Sequence, residues 1–479
     1  MKKSLKQQSI SGVVWSSIEK FSFQGINFVI AIILARMLSP SDFGLVGMLA
    51  IFIAFSQVFI DSGFSSALIQ KQNRTDADFS TSFWVNLFIS VFFFVLLFVF
   101  APHIAKFYGI SELTSITRAI ATTLIINALC AVHKTKLVIA VDFKTQAKAS
   151  FPSTVLSGII AIVCAYEGCG VWALVYQSIL NSVFTTVFLY ILVRWIPKFS
   201  FSKESFHTLF SFGSKLLMAS IIHTIYSNSH SLVIGKIFNA TSLGYYTRAN
   251  QFSVLAATNA SGIISRVTFP ILSEIQNDLE RLSKIYRKYI KLACFVFFPM
   301  MTGLAALAPP IIHLLLGDVW RPTIILLQLL CFAAMWDPLC SININLLYVK
   351  GRSDLVLKLE IIKKTLAITI LIISAFFGLK AICIGQICYS CVAVFLNTYY
   401  TGKLIDLPYY KQIKDVFPYL ILSITMGIIV LFGSLFITKP ILQIVIGIPF
   451  GLVFYCLVAY VLELDAMQEL KRLIFENKK

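Results

Sequence analysis

The sequence predicts an all-α integral membrane protein of about fourteen transmembrane helices, arranged as two parallel six-helix lobes followed by two C-terminal helices. Three observations lead there: the composition, the spacing of the apolar runs, and the alternation of basic residues between them. Of 479 residues, 58% are hydrophobic, 14% aromatic and only 13% charged, and the mean hydropathy is +0.84. A soluble globular chain is about half apolar and about a quarter charged. Read as a soluble protein, this length would suggest about three domains, and the polar surface could not cover three cores. Disorder is excluded for the opposite reason, because so much apolar surface must be buried.

A hydrocarbon core about 30 Å thick needs roughly 20 mostly apolar residues in a helix. Runs of that kind fall at 11–35, 43–69, 80–101, 113–133, 150–166, 171–193, 207–235, 247–272, 291–312, 322–349, 355–377, 380–402, 416–437 and 440–462. With the N-terminus (Lys2, Lys3, Lys6) taken as cytoplasmic, about 27 basic residues fall in inside connections and about six outside. The outside set is Arg36, Lys106, Lys236, Arg321, Lys380 and Lys439. Both termini are therefore expected inside. The same alternation accounts for the net charge of +18 without nucleic acid. A cleaved signal peptide does not fit, because the first span is too long and too polar and no small-residue cleavage site follows it.

The ten cysteines read as small hydrophobes. Cys388 and Cys391 have redox spacing, but no second pair or histidine cluster completes a site. The segment 273–290 spaces Ile275, Leu279, Leu282 and Ile285 at helical intervals, with charges on the other face. It reads as a helix lying on the inner leaflet.

An internal repeat organises the chain. LARMLSPSDFG (34–44) and IGKIFNATSLG (234–244) align at an offset of 200, pairing Arg36 with Lys236, Ser39 with Asn239 and Gly44 with Gly244. Each closes one helix and opens the next through an outside turn. Shared turn chemistry alone could produce some of the likeness, but the common offset, orientation and basic residue favour duplication. Six helices separate the copies, so the repeat is parallel, as in transporters whose substrate path lies between halves. The expected divisions are 1–200, 201–405 and 406–479.

At this point the residues resemble a known family. FSFQGINFVIAIILARMLSPSDFGLVGMLAIF, DSGFSSALIQKQ (61–72), GYYTRANQF (244–252) and ISRVTFPILSEIQ (264–276) are similar to the polysaccharide-biosynthesis flippases of the MOP exporter superfamily, of the Wzx-like O-antigen and teichuronic-acid type. The resemblance implies two lobes forming a V around a central cavity, working by alternating access. It implies export of a polyprenyl-pyrophosphate-linked oligosaccharide from the cytoplasmic to the outer leaflet of a bacterial inner membrane, for surface polysaccharide such as lipopolysaccharide. It also implies a charge pair and arginines in the cavity, on the first and eighth helices. Glu19, Lys20 and Arg266 lie in comparable regions.

Charges within spans are costly and mark paths or partners. At 100° per residue, Ser16, Lys20, Gln24 and Asn27 share a face of the first helix, with Glu19 at its edge. Gln57 and Asp61 share a face of the second. Lys215, His223, Tyr226 and His230 cluster on the seventh, and Arg248, Asn259 and Arg266 on the eighth. These residues are candidates to line a hydrophilic path, and the two histidines could also be proton-sensitive. The bland alternative has Lys20 pairing with Glu19 or Asp61 merely to hold helices together, and Arg248 snorkelling. Glu19, Asp61 and Asp337 are candidates for proton or sodium coupling, the last because Pro338 after it suggests a broken helix.

No ATP-binding G-x-x-x-x-G-K-[ST] motif appears, and no cofactor or metal is expected. A membrane polymerase, ligase or acyltransferase would want a sizeable outside loop with acid and base residues, and the outside loops here are short. A cation-coupled multidrug antiporter would favour acidic or aromatic walls, whereas Lys20, Lys215 and Arg266 suit a pyrophosphate. The expected partners are the lipid-linked oligosaccharide, membrane lipids and other polysaccharide assembly proteins.

Overall fold

The computed structural model describes the backbone of residues 5–61 and 63–475; the side chains of residues 5–14, 17, 258–261, 263, 265–267, 470 and 472–475 lie outside the described part. The chain is all-α and forms two compact units, residues 1–244 and 245–479. Twelve segments among the described residues are long and apolar enough to cross a membrane. Two more helices, α9 (Ala240–Glu274) and α14 (Ser353–Ala375), coincide with the remaining expected spans.

The first unit contains α1 (Leu5–Met37), α2 (Pro40–Asp61), α3 (Phe64–Gln70), α4 (Asp76–Tyr108), α5 (Leu113–Ile139), α6 (Phe143–Tyr166), α7 (Trp172–Val193) and α8 (Lys203–Ile237). The expected second span is two helices. It breaks at Gly63, which takes a left-handed φ of 70°. A Cβ there would sit 2.5 Å from the Gly213 backbone of α8, so only glycine permits both the turn and the crossing. Beyond α3, Arg74 closes the helix by donating to the Leu68 and Ile69 carbonyls, both at 2.6 Å. Thr75 and Asp78 then form a capping box that starts α4, and the buried Asp78 carboxylate also takes Lys71 at 2.7 Å. Around this corner Phe64, Leu68, Phe79, Phe83, Val132 and Leu209 make a buried cluster. Lys136 lies 4.5 Å from the centroids of both the Phe79 and Trp195 rings, a geometry in which the ring faces attract a cation.

The repeat is visible in the helix ends. α1 stops at Met37 and α2 starts at Pro40; α8 stops at Ile237 and α9 starts at Ala240. The caps match too. Ser39 Oγ accepts the Asp42 amide at 3.3 Å and Asn239 Oδ1 accepts the Ser242 amide at 2.7 Å.

The second unit holds most of α9, then α10 (Leu279–Ala306), α11 (Ala308–Leu315), α12 (Thr323–Ala334), α13 (Asp337–Val349), α14, α15 (Leu379–Leu404), α16 (Tyr409–Leu435), α17 (Pro440–Val461) and α18 (Asp465–Phe475). One expectation is corrected here. Most of the segment expected to lie on the inner leaflet is the first turns of α10, which runs unbroken into the membrane span. Leu282, Tyr286 and Ile290 form its buried stripe, while Leu279 stays exposed. The physical reason is polar as well as apolar. The Tyr286 hydroxyl sits 2.8 Å from Asn343 Oδ1 and 2.9 Å from Gln412 Oε1, in a buried network that a surface helix could not reach. The Arg287 guanidinium grips Asp415 with two bonds of 2.6 and 2.8 Å, and Lys291 reaches Asp415 at 3.2 Å and Asp465 at 2.6 Å. Lys288 adds Glu469 at 2.6 Å, so α16 and α18 are both tied to α10.

Candidate functional site

In the first unit, α1 packs on α6, and Glu19 marks their junction. Its Oε1 accepts the Gln146 amide at 3.0 Å. Asp61 ends α2, with Gln57 Nε2 at 3.5 Å from its Oδ1. The Lys134 ammonium of α5 acts electrostatically on both carboxylates. Lys20 is exposed and takes no ion pair among the described residues, so the pairing with Glu19 or Asp61 that the sequence permits is not made. Gln24 and Asn27 are half-buried further along α1, where the Asn27 amide donates to the Phe23 carbonyl of its own helix at 2.9 Å.

On α8, Lys215 and His223 are exposed, and Tyr226 and His230 half-buried. In the second unit, Arg248 is half-buried on α9 and donates to Gln251 Oε1 at 2.6 Å. The side chains of Asn259 and Arg266 lie outside the described residues. Asp337 is exposed at the first position of α13, with Pro338 next. The expected span 322–349 does break there, between Ala334 and Asp337.

Two groups of functional interest were not singled out from the sequence. Gln146 bonds Glu19, but in sequence it and Lys134 belong to a connection counted only for its charge. On α14, Lys363 is buried and paired with Glu360 at 2.6 Å, with Lys364 at 3.6 Å from the same carboxylate. The signal was present: Glu360 and Lys363 stand three apart inside an apolar run, on one face of a helix. An ion pair inside a span replaces water with a partner and is costly to leave half-made.

Residues 33–325 match a family model described as polysaccharide biosynthesis protein. The chain is 27% identical over 354 residues to the teichuronic acid biosynthesis protein TuaB of Bacillus subtilis, covering 74% of this chain and 73% of that one. It is 30% identical over 339 residues to the succinoglycan biosynthesis transport protein ExoT of Rhizobium meliloti, covering 71% and 68%. Among solved structures, the lipid II flippase MurJ in an inward closed conformation superposes with a TM-score of 0.75 over 94% of this chain and 99% of that one, at 17% identity. That likeness is one of fold.

Proposed function

Since the chain belongs to the polysaccharide biosynthesis protein family, we propose that it is a flippase carrying a polyprenyl-pyrophosphate-linked oligosaccharide from the cytoplasmic to the outer leaflet of the bacterial inner membrane. The observation that carries this reading is its likeness to a relative named as a transport protein for succinoglycan synthesis. The protein is a multi-pass membrane protein and transports without making or breaking a covalent bond. It works by alternating access: the charged head group enters from the cytoplasm and leaves outside while the polyprenyl tail stays in lipid.

Within the first unit, Lys20 and Lys215 supply positive charge to the head-group path, helped by Gln24, Asn27, His223, Tyr226 and His230. Within the second, Arg248, Asn259 and Arg266 do the same. Exposed lysines on membrane-crossing helices support this role, because a lipid-facing ammonium would be expensive and a water-facing one is not. Glu19, Asp61 and Asp337 are the proposed sites of proton or sodium coupling. Both termini face the cytoplasm, the functional divisions remain those drawn from the repeat, and other polysaccharide assembly proteins are the proposed partners.

A deletion strain tests the reading. Surface polysaccharide should disappear while its lipid-linked repeat unit accumulates on the cytoplasmic side. Continued surface polysaccharide in the deletion strain would overturn it, as would a covalent change in the glycan that depends on this protein.

A further inference from the structure

α1 and α6 lie side by side in parallel register. Lys144 Nζ is 5.3 Å from the Trp15 ring centroid, Glu19 bonds Gln146 four residues further on, and a Cβ on Gly158 would press into Ile30. The residue offset between the helices stays nearly constant, so the groove between them is straight. It encloses about 470 Å³. From Trp15 to Phe23 it runs eight residues, about 12 Å at 1.5 Å per residue.

Its two ends differ in chemistry. Lys144 and Lys148, one turn apart on α6, are both exposed, Lys144 beside Trp15 and Lys148 one turn deeper, past the level of Glu19. Beyond Lys148, toward the membrane interior, the walls are Phe23 and Phe151, both exposed apolar side chains, while Ile18 lies between the levels of the two lysines. Glu19 also lines the groove, and its carboxylate already accepts the Gln146 amide. Two ammonium groups against one engaged carboxylate leave the polar end net positive. The α6 N-terminus is not the source of that charge, because Asp142 already caps the Thr145 amide at 3.0 Å.

A cationic mouth leading into a single aromatic trough fits an amphiphile with an anionic head and one chain. We infer that this groove is a docking site for the polyprenyl-phosphate end of the lipid-linked substrate, with the phosphate on Lys144 and Lys148 and the first isoprene unit along Phe23 and Phe151. The inference rests on the flippase reading and adds to it a place where the carrier lipid is held. A two-chained phospholipid has the same phosphate but does not match one trough. Phosphate recognition by two lysines is a point-charge interaction that tolerates different head groups, so the site reads the carrier rather than the sugar.

The test uses the full-length protein in nanodiscs of neutral lipid and a photoactivatable polyprenyl phosphate without sugar. Label is expected in the peptide containing 143–152, displaced by unlabelled polyprenyl phosphate and not by equal phosphatidylglycerol. The Lys144→Gln/Lys148→Gln double variant should label about tenfold less, and Phe151→Ala should shift label away from α6. Equal displacement by phosphatidylglycerol would overturn the inference, as would undiminished labelling of the double variant. Saturable labelling confined to other helices would remove the groove while leaving the flippase reading intact, since the deletion strain tests that separately.

Discussion

Gly44 and Gly244 occupy equivalent places in one reciprocal contact. A Cβ on Gly44 would run into the Ala240 carbonyl, and a Cβ on Gly244 would run into the Pro40 carbonyl. Pro40 and Ala240, like the two glycines, stand 200 residues apart. The duplicated turns therefore cross each other by exchange, each glycine admitting the first residue of the other turn's helix. The obstacle is backbone in both cases, so no rotamer change relieves it.

Gly44→Val and Gly244→Val should each destabilise the protein, by about 1–3 kcal/mol or more on the scale of overpacked cores. The double variant should be less destabilised than the sum, because the two sites share one contact. Thermal unfolding in detergent measures this. Gly433→Ala, which meets no atom within 4 Å, is the control and should be neutral or slightly stabilising in its helix.

Lys20→Ala should abolish or severely reduce export at normal membrane abundance, because Lys20 takes no ion pair among the described residues whose loss would unfold α1. Lys20→Arg should retain more export than Lys20→Gln, since it keeps the charge. Arg266→Ala should behave like Lys20→Ala. The measurement is surface polysaccharide in the deletion strain at matched expression. Normal export by both alanine variants would refute the phosphate role, and loss of protein in both would favour a structural one.

Glu360→Gln should lower membrane abundance by stranding the Lys363 ammonium inside α14. Adding Lys363→Met should restore much of it, because replacing both partners removes the desolvation penalty that breaking one leaves behind. If the double variant is no better folded than Glu360→Gln alone, the pair has another purpose.

Cys169 is exposed in the turn between α6 and α7, which the basic-residue pattern puts outside. With the other nine cysteines replaced, an impermeant maleimide added to intact cells should label it. Reporters introduced at Ser283 or Ser353 should label only after the membrane is opened. Reporters at Ser39 and Asn239 should both label from outside, and opposite answers there would end the parallel-repeat reading.

The helices were legible because apolar runs near 20 residues have one physical meaning in a chain this hydrophobic. The turn alignment placed both turns, while the helix ends at Met37, Pro40, Ile237 and Ala240 lie closer together than the expected spans, because Ser39 and Asn239 cap the following helices directly. What escaped was partnership. Glu19 was visible as a charge in a span, but its bond to Gln146 joins residues 127 apart, and nothing local in either segment signals it. The α10 segment misled for a related reason. An amphipathic stripe states that something apolar is covered, not whether lipid or protein covers it, and Tyr286 meets protein. Lys363 was the one available signal left unread, three residues after Glu360 in an otherwise apolar run.

The continuity of α10 gives the second unit a lever. From Leu279 to Phe298, ahead of the interior Pro299, the helix is a stiff rod about 29 Å long at 1.5 Å per residue. A tilt of about 5° at its Phe298 end, where Pro299 lets the helix bend, swings Leu279 through roughly 2.5 Å, and the rod's length sets that gain. α16 is clamped near the far end through Asp415 and α18 through Asp465 and Glu469, so both are carried along rather than slipped past. Small rotations deep in the bilayer are thereby written as displacements of about 2–3 Å at its edge.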